Sequence, residues 1–121
     1  MAHLPTLLTD LTAPWRQAPL LALALGVLLA PWVEEVVFRL GVQQGLLDRG
    51  WRPWPTVLAT ALVFGLAHAL LRADWFGLAT ALPALVLGGL YLKTRRVAPC
   101  AALHAVFNLI WWLAPLAWRR A

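Results

Sequence analysis

Leu20 to Leu47 reads LLALALGVLLAPWVEEVVFRLGVQQGLL, a long apolar run with two carboxylates and a guanidinium (Glu34, Glu35 and Arg39) set in its middle. An α-helix rises ~1.5 Å per residue and needs ~20 apolar residues to cross a ~30 Å hydrocarbon core. Leu20 to Val37 approaches that length, and so do Trp54 to Leu71, Trp75 to Leu92 and Val97 to Trp118. At 62% hydrophobic and 12% charged residues over 121 positions, the chain is too apolar for a soluble fold. Open strands are excluded in lipid, where unpaired backbone groups find no partner. The expected fold is therefore all-α: a polytopic, integral membrane bundle of about four transmembrane helices.

Working outward from this stretch, Pro19 suits the first turn of a helix. The helical pattern continues to Leu47, longer than the bilayer core, so this helix must tilt, protrude or kink, with Pro31 as the expected kink. Residues 1–18, with His3, Pro5, Pro14 and Trp15, read as an extramembrane or interfacial lead-in without assigned chemistry, and 19–121 as one transmembrane domain. Asp48 to Pro53 is a turn by composition, and Arg72 to Asp74 and Lys93 to Arg96 are shorter connections that make neighbouring helices antiparallel. Trp15, Trp75 and Trp118 then fall at one membrane face and Trp51, Trp54 and Tyr91 at the other, as aromatic belts.

The formal charge is +5, but the basic residues cluster at the ends of the apolar stretches, where they anchor to phospholipid head groups; no nucleic-acid face is expected. Arg49, Arg52, Lys93, Arg95 and Arg96 lie on one side and Arg16, Arg72, Arg119 and Arg120 on the other, which slightly favours a cytoplasmic location for the first and third turns. No basic segment precedes the first apolar stretch, and this argues against a cleaved signal peptide. Cys100, the single cysteine, reads as a small hydrophobe.

Charged groups at the centre of a membrane helix cost ~2.5 to 3.5 kcal/mol even on translocon scales, so each needs an explanation. Glu35 and Arg39 are spaced i, i+4 with the acid first, the better orientation for an intrahelical ion pair, and are read as structural support. Glu34 has no cation at that spacing and is left as the free carboxylate. His68 mirrors Glu34 about residue 51, inside the first turn, so the two share one layer of the hairpin. His104 and Asn108 place an imidazole and an amide on one face of the fourth helix. By residue counting Asn108 lies near the depth of Glu34 and His68, with His104 about one turn shallower. Each polar residue alone has a bland reading as an interhelical hydrogen bond; their convergence from three helices does not. Gly41 and Gly45 form a Gly-x-x-x-Gly pair, and Gly65, Gly88 and Gly89 remove bulk, all read first as packing. Gly65 could also open space for a substrate backbone.

Glu34-Glu35-x-x-x-Arg39, Phe64-x-x-x-His68 and His104-x-x-x-Asn108, in that order on successive apolar segments, resemble the three motifs of the CPBP family, the CAAX-protease and bacteriocin-processing intramembrane endopeptidases. The resemblance spans Glu34 to Asn108. It implies hydrolysis near the C-terminus, or at the leader, of a membrane-anchored protein or peptide, in a bacterial inner membrane and without a cofactor. It further implies that Glu34 and His68 activate water while His104 and Asn108 form an oxyanion hole. Leu40 stands where the family usually has Gly, and the chain is shorter than typical members, as a minimal stand-alone form would be.

Two other chemistries remain open. Glu34, His68 and His104 could instead supply three ligands to zinc with water in the fourth position, although no His-Glu-x-x-His helix is present. Cys100, one turn from His104, could form a Cys-His pair, but this leaves Glu34 and His68 unexplained. The sequence contains no serine. A non-enzymatic membrane interaction or immunity protein, with the polar cluster merely holding the bundle, is the third alternative.

Overall fold

The computed structural model describes residues 19–120, with side chains described as far as residue 114. The lead-in, and the side chains of Trp118, Arg119 and Arg120, lie outside the described residues. Four helices follow one another: α1 (Pro19–Asp48), α2 (Pro53–Arg72), α3 (Trp75–Thr94) and α4 (Val97–Arg120). Each has the length and apolarity to cross a membrane, and no strand occurs among the described residues. The all-α, four-span expectation holds.

The first helix is not regular. Two π-helical segments, Leu25–Leu29 and Val36–Gln43, interrupt its α turns, on either side of Glu34 and Glu35. The first has a covalent cause. The N–H of Ala30 donates to Leu25 O, five residues back, and in that register Gly26 O would be served by residue 31. Residue 31 is proline and has no N–H to give. Pro31 thus disturbs the helix by leaving a carbonyl free, and Asn108 Nδ2 on α4 donates to it at 2.9 Å.

The turn between α1 and α2 closes in a Schellman arrangement: Gly50, at φ 87°, donates to Leu47 O, and Trp51 donates to Leu46 O. α2 ends the same way with Ala73 in the left-handed region, and Asp74 N–H donates to Ala69 O. Asp74 Oδ1 then caps the next element through Phe76 N–H.

The third span departs from one uniform helix. It begins as a 3₁₀ segment, Trp75–Thr80, and becomes α-helical only at Ala81. Pro83 falls in the first turn of the α segment, where its missing N–H costs nothing. The 3₁₀ turns lie directly on the end of α2: a Cβ at Gly77 would sit 2.6 Å from Ala69 N and 2.8 Å from His68 C. Gly65 is also packed, with Leu78 O and Ala81 Cβ each 3.0 Å from its own would-be Cβ. Its missing side chain admits α3, not a substrate, and Gly65 does not line the cavity described below. Gly88 admits Val57 and Arg39 in the same way.

Gly41 and Gly45 do not bring helices together. Gly41 faces open space and Gly45 meets only Arg49 of its own helix, so the Gly-x-x-x-Gly pair serves no packing among the described residues. Tyr91 is buried rather than part of an aromatic belt, with its hydroxyl donating to Gln44 Oε1 at 2.8 Å. Arg95 Nη1 reaches the same oxygen. The α3–α4 turn is therefore level with Gln44, about one turn short of the end of α1, and this lowers His104 to the depth of Glu34.

Backbone packing divides the bundle into two pairs. Ala30–Glu35 and Leu25–Leu29 of α1 pack on α4, and α2 packs along α3. α3 closes on α4, whereas α2 approaches α1 only over Val36–Asp48. Among the described residues, α2 makes no close backbone approach to α4 or to Pro19–Glu35 of α1. A space therefore remains between the two pairs at the far end from the α1–α2 turn.

Gly77 is the tightest of these approaches, because the obstacle is backbone that cannot swing aside. Gly77→Ala should lower stability by roughly 1 to 3 kcal/mol, as overpacking does, whereas Gly41→Ala should leave it within ~0.5 kcal/mol. Thermal unfolding of the two variants in one detergent checks both.

Candidate functional site

Glu35 is the fixed point of the polar cluster, with no exposed surface. Its Oε2 accepts from Arg39 Nε at 2.7 Å, the ion pair anticipated from their spacing. Its Oε1 lies 2.8 Å from His104 Nδ1 on α4. Arg39 continues the line: Nη1 donates to Gln43 Oε1 at 2.7 Å, and Gln43 Nε2 donates to Gly88 O on α3 at 3.0 Å. Glu35, Arg39 and Gln43 are all fully buried, recurring every four residues along one face of α1. Gln43 went unnoticed in the sequence, although the same spacing extends to it. A glutamine is simply less conspicuous than a charge.

Glu34 points the other way, into the space between the helix pairs, and is partly exposed. Its Oε2 lies 3.5 Å from His68 Nε2 and 3.5 Å from His104 Nε2, and makes no hydrogen bond among the described residues. His68 Nδ1 is 2.9 Å from Phe64 O. A carbonyl can only accept, so this nitrogen carries the proton and Nε2 is the atom turned to Glu34. The same reasoning places a proton on His104 Nδ1, whose partner Glu35 is the carboxylate paired with Arg39.

Phe64 supports both imidazoles. It stacks on His68 with centroids 4.2 Å apart and meets His104 edge-on at 5.8 Å, while Phe38 meets it edge-on from α1 at 4.8 Å. Asn108 lies one turn beyond His104, and its Nδ2 spends one hydrogen on Gly26 O and keeps the second. Gly26 carries no functional group of its own, and only its position five residues before Pro31 could have exposed its part.

These residues bound a cavity of about 280 Å³ that includes Glu34, His68, His104 and Asn108. Its other wall is apolar, with Phe76, Pro83, Leu87 and Trp111, and Arg72 stands on it as well. Cys100 is not part of it: the thiol is buried between Leu87 O at 3.6 Å and Arg96 O at 3.5 Å. The four residues expected to act together thus meet in one cavity, and the two expected to support them lie behind it. Glu34, His68 and His104 share this wall, but among the described residues no three His, Cys, Asp or Glu side chains are disposed as ligands to a single ion.

A membrane-spanning helical bundle with a partly exposed carboxylate beside two imidazoles on the wall of a cavity has the makings of an intramembrane hydrolase. The family model described as type II CAAX prenyl endopeptidase Rce1-like matches residues 16–110, and the chain belongs to that family. No curated protein matches the chain, and no solved structure does. The match supports the resemblance carried by the three motifs and gives the class: a CAAX-protease-like integral membrane protein of the CPBP group.

Removing one partner of the buried line leaves the others uncompensated. Arg39→Ala would strand Glu35 without its cation and Gln43 without its donor, at a cost of roughly 3 to 5 kcal/mol. The expected result is a sharp fall in the yield of folded protein, read by size-exclusion chromatography in detergent. Normal yield and melting temperature would assign Arg39 a role other than support.

Proposed function

We propose that this protein is an endopeptidase that hydrolyses a peptide bond within the bilayer, near the C-terminus or leader of a membrane-anchored protein or peptide, using water activated by Glu34 and His68. The observation that carries the proposal is the position of Glu34, which lines a cavity that a peptide could occupy and whose Oε2 lies 3.5 Å from two imidazole nitrogens. Water held between Glu34 and His68 loses its proton to the carboxylate as its oxygen attacks the carbonyl carbon, and Glu34 then returns that proton to the leaving amine. His68, its Nδ1–H tied to Phe64 O, presents Nε2 to orient the water.

The oxyanion formed by that attack needs donors already in place. His104 has Glu35 at 2.8 Å on one nitrogen and Glu34 at 3.5 Å on the other. With Nδ1 held on Glu35, its ring is fixed so that Nε2 faces the cavity, and in the oxyanion role that nitrogen donates a hydrogen bond to the oxyanion. The free hydrogen on Asn108 Nδ2 is the second donor. Preorganised donors in a site of low dielectric stabilise such charge strongly. Family membership supports the assignment and, with the resemblance, is the ground for placing the protein in a bacterial inner membrane.

Glu34→Gln keeps the shape of the site but cannot take a proton, so the variant should fold and bind substrate while turnover collapses. Asn108→Ala should lower kcat by ~10²- to 10³-fold with little change in KM. Both are measured by mass spectrometry of C-terminal products from purified protein. Near-normal cleavage by Glu34→Gln would overturn the general-base role. Activity abolished by chelator and restored by zinc would replace this mechanism with metal-assisted hydrolysis.

A further inference from the structure

The polar line through Glu35, Arg39 and Gln43 joins α1 to α3 and α4, but among the described residues no side-chain hydrogen bond joins α2 to another helix. α2 nevertheless buries a hydroxyl. Thr60 has no exposed surface, and its Oγ1 makes no hydrogen bond among the described residues. Thr56, one turn earlier, donates back along the chain to Arg52 O, as helical threonines do; Thr60 does not. One group on the polar line is in the same condition. Arg39 is held at Nε by Glu35 and at Nη1 by Gln43, while Nη2, equally buried, has no partner among the described residues. The two orphaned groups belong to one layer of the bundle. A Cβ at Gly88 would meet Val57 Cγ1 at 2.8 Å and Arg39 Nη1 at 3.2 Å, so the guanidinium and α2 converge over that glycine. Further along α2, Phe64 packs edge-on against Phe38, the residue before Arg39. Thr60 stands between Val57 and Phe64 on the same face of α2, three residues from the one and four from the other.

We propose that Arg39 and Thr60 hold one internal water molecule between them, and that through it Thr60 is a positioning residue for His68. A buried hydroxyl and a buried guanidinium N–H are each costly to leave unpaired, and internal water is the species that serves such groups in folded proteins. Nη2 can only donate and a hydroxyl can also accept, so the water oxygen takes the Nη2–H and a water hydrogen goes to Thr60 Oγ1. A bridge of this kind holds two elements nearly as well as a direct bond. It fixes α2 to the same line that fixes His104. His68 lies two turns beyond Thr60 on α2, ~12 Å along the axis, and its Nε2 must stand 3.5 Å from Glu34 Oε2. Apolar contacts alone hold α2 weakly in rotation and height, because lipid offers the same contacts; the bridge supplies the missing constraint. Only the kinetic consequence of this arrangement rests on the hydrolytic reading above.

The test uses the full chain in nanodiscs. Thr60→Val replaces the hydroxyl by a methyl of nearly the same shape, so the sign of its effect decides. If Oγ1 is bonded through water, the melting temperature falls by about 4 °C, the size expected for one lost hydrogen bond in a domain of this length. If Oγ1 is unpaired, its removal leaves the melting temperature unchanged or raises it, and the bridge is overturned. NMR of the unaltered protein should show cross-peaks from a long-lived water to the Arg39 guanidinium protons; their absence also overturns the bridge. Thr60→Ser keeps the hydroxyl and should keep those cross-peaks, which Thr60→Val should lose. The imidazole ¹⁵N signals of His68 should move in Thr60→Val and stay in Thr60→Ser. A shift shared by both variants, or by neither, would make Thr60 a packing residue and end its positioning role. In cleavage assays Thr60→Val should lower kcat about tenfold with KM little changed, and Thr60→Ser should restore it. Bound water at this site in a protein that cleaves no membrane-anchored peptide leaves the bridge standing and sinks the hydrolytic reading. Hydrolysis without the bound water does the reverse.

Discussion

A carboxylate buried in a membrane helix survives only if its charge is matched and both oxygens are bonded, and the carboxylate of Glu35 is where this bundle meets that demand. Arg39 matches it from the same helix and His104 bonds it from α4. Gln43 carries the line from Arg39 to the backbone of α3 at Gly88. Apolar side chains gain little by leaving lipid for one another, so close packing and polar contacts must specify which helices meet and in what register. Three of the four helices are tied by this one line. The fourth, α2, is held by shape, through the close approaches at Gly65, Gly77 and Gly88.

Holding Glu35 so firmly also defines what its neighbour can do. Successive residues of a helix point about 100° apart, so with Glu35 turned into the α1–α3–α4 junction, Glu34 is turned into the cavity. One carboxylate has both oxygens engaged, and the other has an oxygen free. His104 joins the two, with Nδ1 on the engaged acid and Nε2 facing the free one. A change that disturbs the supporting line would therefore reach the reacting groups through a single imidazole ring.

The four spans, their antiparallel order and the convergence of Glu34, His68, His104 and Asn108 were legible in the sequence, because each depends on local pattern: apolar length, short turns and residue counting from those turns. The Glu35–Arg39 pair was legible from its spacing. Contacts that depend on how two helices lie against each other were not. Gly41 and Gly45 have the spacing of a packing motif yet face open space, whereas Gly77, unremarkable in the sequence, takes the closest backbone approach of any glycine in the chain. Tyr91 looked like an interfacial aromatic until the α3–α4 turn proved to lie one helical turn short of the end of α1. His104 was counted too shallow for the same reason, since depth counting assumes that every turn reaches the same plane.

The irregular turns of α1 explain how so short a bundle can position so many polar groups. A regular α-helix satisfies its own carbonyls and offers its neighbours only side chains, and in lipid an unsatisfied carbonyl is too costly to leave alone. Pro31 cannot donate, the turn before it widens, and Gly26 O is left for a donor from outside the helix. Asn108 supplies it, and in doing so its amide is fixed with one hydrogen spent and one directed to the cavity. The second π segment begins at Val36, immediately after the two glutamates, and irregular turns of this kind recur at functional sites. Glu34 and Glu35 thus occupy a short α-helical stretch, Ala30–Glu35, with a widened turn on each side. The backbone hydrogen-bonding debt of one helix becomes the means by which a side chain on another is aimed.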